Sequence, residues 1–117
     1  MQQRFAALKR AIATTSASGN QFIVRGDYAA AEQLFNKALQ DWRSGGGPKV
    51  EEGDLILQLG KCYVAQRKYE QAYELYMQAL NYLTGTAYDE VYASFLYLNE
   101  RMGTFAAKEP EPPYSPF

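Results

Sequence analysis

Apolar residues recur with helical periodicity along most of this chain, and one stretch of the pattern occurs twice. The segment GDYAAAEQLFNKAL, residues 26–39, aligns without gaps on RKYEQAYELYMQAL, residues 67–80. In the first copy Ala31, Phe35 and Ala38 fall at i, i+4 and i+7, which places them on one face of a helix. A single helix cannot bury such a stripe, so each copy requires a partner helix.

The partner helix lies upstream of each copy and carries a glycine followed by an aromatic residue. SGNQF precedes the first copy and LGKCY precedes the second, so Gly19 corresponds to Gly60 and Phe22 to Tyr63. A small residue at a crossing lets two helix backbones approach closely, while aromatic rings fill the space beside it. The sequence therefore predicts a pair of helices that is present twice.

The two predicted pairs, at about 12–43 and 53–84, are separated by an insertion at 44–52. Its sequence SGGGPKVEE predicts a flexible loop and lacks the Lys-Ser/Thr pair of a phosphate-binding loop. Glu51 and Glu52 precede a predicted helix, where carboxylates interact favourably with the helix dipole. Metal binding by these carboxylates is the weaker alternative.

Both ends of the chain extend this pattern. Phe5, Leu8 and Ile12 have helical spacing and predict a forward extension of the first helix, with a possible break at TTSAS. After the second pair, a further helix is expected at about 87–101. Residues 109–117 contain four prolines and favour extended polyproline II structure, either packed on the aromatic helix or solvated.

The repeated unit resembles the tetratricopeptide repeat (TPR), which has a leucine-glycine and an aromatic, then alanine, aromatic and alanine-leucine. The resemblance covers about residues 12–83 and rests on eight matching positions that recur in order. It implies an all-α fold in which two TPR-like hairpins and a terminal helix form a short right-handed superhelix. The copies start 41 residues apart rather than roughly 34. Thr15 and Ser18 stand where large apolar residues are usual, so the first helix should pack loosely.

The resemblance also implies a concave groove that binds an extended or helical peptide. The family's groove positions fall here on Ser16, Asn20, Ile23, Val24, Leu57, Gln58, Lys61, Val64, Tyr88, Val91, Tyr92 and Phe95. Members that bind heat-shock chaperone tails clamp a terminal carboxylate with lysines, asparagines and an arginine. Only Asn20 of that set is present, which argues against such tails as partners. An apolar helix or an aromatic or proline-rich segment suits the groove better. Two alternatives remain for the apolar residues of the helix at 87–101: they pack within the array, or they bind a second copy of the chain.

Composition narrows the range of functions. A chain of 117 residues with net charge −1 predicts one domain and no general affinity for nucleic acid or membranes. Residues 1–25 carry four cations and no acid, which either extends the domain or forms an organelle transit segment. No apolar run approaches the roughly 18 residues of a membrane span. One cysteine, Cys62, and no histidine leave no basis for a catalytic, metal or cofactor site, and Cys62 is expected to be buried.

These observations predict a non-enzymatic protein-interaction module, an adaptor or an assembly or chaperone factor, in the cytoplasm. Two alternatives remain open on the sequence. The chain could be a structural subunit that self-associates through its aromatic C-terminal helix and tail. It could also be the accessory domain of a larger enzyme.

Overall fold

A computed structural model describes residues 2–103 of the chain, with side chains from residue 5 onward. The described part is all-α, as the sequence predicts. In chain order it contains α1 (Gln2–Val24), α2 (Tyr28–Ser44), a 3₁₀ helix (Lys49–Glu51), α3 (Gly53–Ala65), α4 (Tyr69–Ala79) and α5 (Gly85–Met102). Consecutive α-helices pack on one another and α3 also contacts α5, which gives two hairpins followed by one further helix. The proline-rich segment 109–117 lies outside the described residues.

Each hairpin buries the stripe that the repeated pattern predicts. Ala31, Phe35 and Ala38 of α2 are buried, and so are Ala72 and Tyr76 of α4. Burial of one large apolar side chain stabilises a fold by about 1.5–3 kcal/mol, so these rings are a principal source of stability. Residues that are aligned between the two copies therefore occupy equivalent positions in the core.

The paired glycines mark where the two helices of each hairpin meet. A Cβ placed on Gly19 would lie 2.7 Å from the ring of Phe35, and one on Gly60 would overlap the ring of Tyr76. The glycine of the first helix thus makes room for the aromatic ring of the second in both hairpins. This contact explains why glycine and aromatic residues recur together in the sequence.

The first helix is continuous, and the break considered at TTSAS does not occur. The Thr14 hydroxyl donates to the carbonyl of Arg10 (3.1 Å) and the Thr15 hydroxyl donates to that of Ala11 (3.2 Å). Each hydroxyl thus bonds to a carbonyl one turn earlier, which the continuous helix tolerates at a small cost in stability. Between residues 5 and 24 only Ile12 and Gly19 are buried, consistent with the loose packing expected of this helix.

The turns inside the two hairpins differ in chemistry. Gly26 takes a left-handed conformation (φ +82°), and the Asp27 side chain then accepts a hydrogen bond from the backbone N–H of Ala30 (3.2 Å). In the second hairpin Arg67 adopts the same region (φ +63°), and Lys68 provides no side-chain cap. A non-glycine residue in this region is strained, so the second turn is built at some cost in stability.

The insertion between the hairpins is a folded connection rather than the flexible loop that its glycines suggest. It contains the 3₁₀ helix, and the indole N–H of Trp42 donates to the carbonyl of Pro48 (2.9 Å). Gly47 lies against the indole ring so closely that a Cβ there would overlap it. The glycines therefore allow the connection to pack on a buried tryptophan.

Glu52 stands directly before α3, where its charge is expected to favour the helix dipole, but its side chain makes no hydrogen bond to the start of that helix. It is fully buried and accepts two hydrogen bonds from Arg43, at 3.0 and 2.8 Å, and one from the Tyr82 hydroxyl at 2.6 Å. The bond to Glu52 raises the pKa of Arg43 further above its usual range. Burial, together with the charge of Glu52, raises the pKa of Tyr82 to about 12. This network joins the end of α2, the start of α3 and the segment after α4, so it fixes the second hairpin relative to the first.

Candidate functional site

A cavity of about 790 Å³ lies between α3 and α5 and is here called the α3–α5 cavity. Leu57, Gln58, Lys61 and Val64 of α3 line one wall, all four of which are groove positions implied by the resemblance. On the opposite wall α5 contributes residues that the sequence analysis did not select: Ala93, Ser94, Tyr97 and Arg101.

The floor of this cavity is apolar with a polar centre. Leu57 and Val64 are half-buried and pack against the core. The Tyr76 hydroxyl reaches across from α4 and forms a hydrogen bond with Ser94 of α5; burial nevertheless raises the pKa of Tyr76 to about 12. The buried amide oxygen of Gln58 has no hydrogen-bond donor among the described residues. The cavity therefore offers both apolar contact and hydrogen bonding, as peptide-binding sites do.

Three cations surround the cavity, of which the sequence analysis named only Lys61. The other two are Arg67, in the turn between α3 and α4, and Arg101, near the end of α5. Arg101 donates a hydrogen bond to the Tyr97 hydroxyl (2.9 Å) and lies over the Tyr97 ring, 5.6 Å from its centroid. A hydrogen bond to Tyr69 also contributes to the raised pKa of Arg101, after the bond to Tyr97. The sequence gives one indication that Arg67 has a special role: it occupies the position at which the first copy has Gly26.

The predicted groove residues of α5 lie elsewhere on that helix. Tyr88 stacks on Tyr92 (ring centroids 5.9 Å apart), and Tyr92 stacks on Phe95 (6.5 Å). Phe95 packs on Tyr73 of α4 at 5.2 Å, while Val91 is fully buried in the core. None of the four α5 residues named from the resemblance lines the α3–α5 cavity.

A second, smaller cavity of about 440 Å³ lies between α1 and α3, here called the α1–α3 cavity. It contains two more predicted groove residues, Ser16 and Asn20. Of the remaining two, Ile23 is half-buried against the core and Val24 is 86% exposed near the end of α1. Neither lines the two cavities. The structure thus divides the predicted groove into two unequal cavities on α3.

Cys62 and the acidic side chains are the residues singled out by the sequence for possible reactive or metal-binding chemistry. Cys62 is fully buried, as expected, and burial raises the pKa of its thiol to about 11, so the nucleophilic thiolate is disfavoured. Residues 5–103 contain no group of three or more His, Cys, Asp or Glu side chains placed to hold a metal ion. Within the described chain, no helix has the length and apolar character needed to cross a membrane.

Two packed helical hairpins with a groove beside them define a short helical-repeat protein. The tetratricopeptide repeat family model matches residues 10–84, which is more than half of the chain, and the protein belongs to this family. TPR repeats generally mediate protein–protein interactions and are typically non-catalytic. No match was found among curated proteins or among solved structures.

Proposed function

We propose that this chain is a non-enzymatic protein-interaction module that holds a peptide or helix of a partner protein, as an adaptor or an assembly factor does. The observation that carries this proposal is the α3–α5 cavity, which combines an apolar floor with polar groups at its rim. A pocket of about 300–1,000 Å³ is the usual size for a bound ligand or side-chain cluster. We also propose a cytoplasmic location, because the only cysteine is buried and unpaired.

Helix α5 forms one wall of the α3–α5 cavity, and this wall is accessible to a partner. Ala93 and Tyr97 of α5 are exposed, Tyr97 to 55%. Tyrosine side chains with one apolar and one wet end are favoured at protein interfaces. A partner segment that lies along α3 would contact Lys61 on one side and Tyr97 on the other.

Site-specific photo-crosslinking tests this proposal. A photoreactive phenylalanine at position 65, an exposed alanine that lines the cavity, should crosslink to a discrete protein in a lysate of the source cells. The same group at Gln33, an exposed position of α2 outside the cavity, is the matched control. Ala93→Trp should obstruct the cavity and abolish the product without unfolding the chain, because Ala93 is exposed. Identical products from positions 65 and 33, or a product that survives Ala93→Trp, would exclude the groove as the binding site.

Self-association is a second candidate function, favoured by the exposed apolar residues of α5. Tyr92, Leu96 and Tyr97 are each about half exposed, which leaves an apolar surface on this helix. If that surface binds a second copy, light scattering should show a dimer that Leu96→Gln dissolves. A monomer at the highest soluble concentration would exclude this function and leave the groove proposal unaffected.

A further inference from the structure

The charge of the α3–α5 cavity indicates what kind of segment it binds. We propose that it takes an acidic segment of a partner protein, in which glutamate or aspartate side chains flank an aromatic or proline residue. This inference rests on the proposed function and specifies its ligand. The contacts assigned to the ligand's carboxylates are Lys61, Arg67 and Arg101.

The cavity has a strong local surplus of positive charge in a chain whose net charge is −1. Three cationic side chains line it, and no acidic side chain is among the described residues that do so. None of the three forms an ion pair with a carboxylate within residues 5–103. The four ion pairs in that range involve other cations, namely Lys9, Lys37, Arg43 and Lys68. The positive charge of the cavity is therefore left for a ligand.

Acidic residues do occur near the cavity, but they do not neutralise it. Glu70 lines an adjacent depression together with Arg67 and Arg101, and Glu100 lines another on α5. Neither carboxylate lies within 4 Å of a cationic group in the described chain. Glu70 and Glu100 thus form no ion pair with the three cations in the described chain, which leaves these cations accessible to a carboxylate from outside.

The backbone of Arg67 is a second, independent observation. Its φ of +63° belongs to the region that glycine occupies without strain, and the first hairpin has Gly26 at the equivalent position with φ +82°. Residues with a strained backbone are held by the structure around them and are enriched at binding sites, which favours a role for the Arg67 side chain. At this position the fold alone favours glycine, whereas an anion-binding cavity favours arginine.

The α1–α3 cavity, at the other end of the groove, carries acidic rather than basic side chains. This difference in charge determines which end of the groove an acidic segment occupies. Glu51 and Asp54 line the α1–α3 cavity, where Lys9 is the one cation among the described lining residues and already pairs with Glu51 at 3.2 Å. An acidic segment is repelled there and attracted to the α5 end. The cations also lie outside the positions with which family members clamp a terminal carboxylate, so side-chain carboxylates are the expected ligands.

The aromatic residues around the cavity explain why the proposed ligand has an aromatic or proline residue between its carboxylates. The Tyr97 side chain is 55% exposed and has Arg101 over its ring, and Tyr69 of α4 also lines the cavity. Exposed tyrosine rings bind proline and aromatic side chains in extended peptides. A segment with one such residue between carboxylates can therefore place its ring on Tyr97 and its charges on the three cations.

Fluorescence anisotropy with two defined peptides tests the proposal on the full 117-residue chain. The probe is fluorescein-labelled, amidated Glu-Glu-Pro-Tyr-Glu-Glu, and the control is the same peptide with glutamine for every glutamate. The acidic peptide should bind at least about tenfold more tightly at about 0.1 M salt. This preference should fall at about 1 M salt, where the Debye length shrinks from about 10 Å to about 3 Å.

Arg67→Gly separates binding from folding. It should weaken binding of the acidic peptide about threefold or more while leaving the thermal midpoint unchanged or higher, because glycine relieves the strained φ. Arg10→Gln is the matched control: Arg10 is exposed on α1, does not line the cavity, and its replacement changes net charge equally. Its affinity for the peptide should stay at the wild-type value.

Three results would overturn the inference. The first is equal affinity for the two peptides, and the second is an equal loss of affinity in Arg10→Gln and Arg67→Gly. The third is a gain of about threefold or more in Glu109→Gln/Glu111→Gln, which would identify the chain's own acidic, proline-rich segment as the occupant. If the position-65 crosslink persists in any of these cases, the groove still binds a partner and only the assigned chemistry is wrong.

Discussion

Replacing Arg43 with methionine tests whether the buried network at Glu52 holds the two hairpins together. Removing one member of a buried ion pair typically costs about 3–5 kcal/mol, because the other charge remains buried without its partner. The Arg43 side chain is 46% exposed, so solvent already screens part of the interaction. The Tyr82 hydroxyl would also still donate to Glu52. We therefore expect Arg43→Met to lower the free energy of unfolding by about 2–3 kcal/mol, a large part of the 5–15 kcal/mol typical of a domain.

Urea denaturation followed by circular dichroism and by the fluorescence of Trp42, the only tryptophan, measures this loss. Adding Glu52→Gln to Arg43→Met should restore part of the stability, because no buried charge is then left without a partner. Lys37→Met is the matched control, since it breaks an exposed ion pair with Asp41 that should contribute less than about 1 kcal/mol. A loss below about 1 kcal/mol in Arg43→Met, or no recovery in the double variant, would refute the role assigned to the network.

Three further predictions concern the core and the insertion. Gly60→Ala should lower the thermal midpoint, because the added methyl group would overlap the Tyr76 ring at a cost of about 1–3 kcal/mol. This cost outweighs the gain of about 1 kcal/mol in helix propensity, and an unchanged midpoint would contradict the close contact. Deleting residues 45–51 should shift the fluorescence of Trp42 to longer wavelength and destabilise the chain, since the indole loses its hydrogen bond and its cover; an unshifted spectrum would show that the insertion is dispensable. Burial raises the pKa of Cys62 from 9 to about 11 and that of Tyr76 from 10 to about 12, so stability should be complete below pH 9 and fall as the pH rises to 12. In urea titrations at several pH values, Tyr76→Phe should reduce this alkaline loss, and an identical pH dependence would disprove its origin.

The repeat architecture could be predicted because it is encoded in local spacing. A glycine in one helix and an aromatic residue in the next leave a pattern that is visible without coordinates, and Gly19 and Gly60 accordingly meet Phe35 and Tyr76. The cap at Asp27 was predictable for the same reason, since a polar side chain before an apolar stripe needs only neighbouring backbone N–H groups to act.

The insertion could not be predicted because its partners are distant in sequence or act through backbone groups. Three glycines favour a loop, and nothing local shows that Gly47 faces a tryptophan ring or that the Pro48 carbonyl accepts the indole N–H. Glu52 binds Arg43 and Tyr82, which are 9 and 30 residues away. The position of Glu52 before a helix therefore indicates a favourable place for its charge, but not the cation and the hydroxyl that bind it.

The groove was only partly predictable because the rotation of α5 depends on packing that the repeat does not encode. Alignment with the earlier helices selects Tyr88, Tyr92 and Phe95, but Phe95 packs on Tyr73 and the other rings stack beside it. The opposite side of α5 then faces α3 and presents Tyr97 to the cavity. A helix that is not followed by the second helix of its own hairpin among the described residues is free to take this orientation.

A comparison of equivalent positions in the two hairpins distinguishes residues that are needed for packing from residues with another role. They agree at the glycines, alanines and aromatic residues that form the core, and these positions account for the fold. They differ on the groove side and at the turn, where Gly26 becomes Arg67 and Asn20 becomes Lys61. Neither change improves the fold: lysine at position 61 is exposed, and arginine at position 67 accepts a strained φ that costs on the order of 1 kcal/mol or more. Both changes instead add positive charge to the lining of the α3–α5 cavity, and we propose that the strained turn is retained because this charge binds an acidic segment.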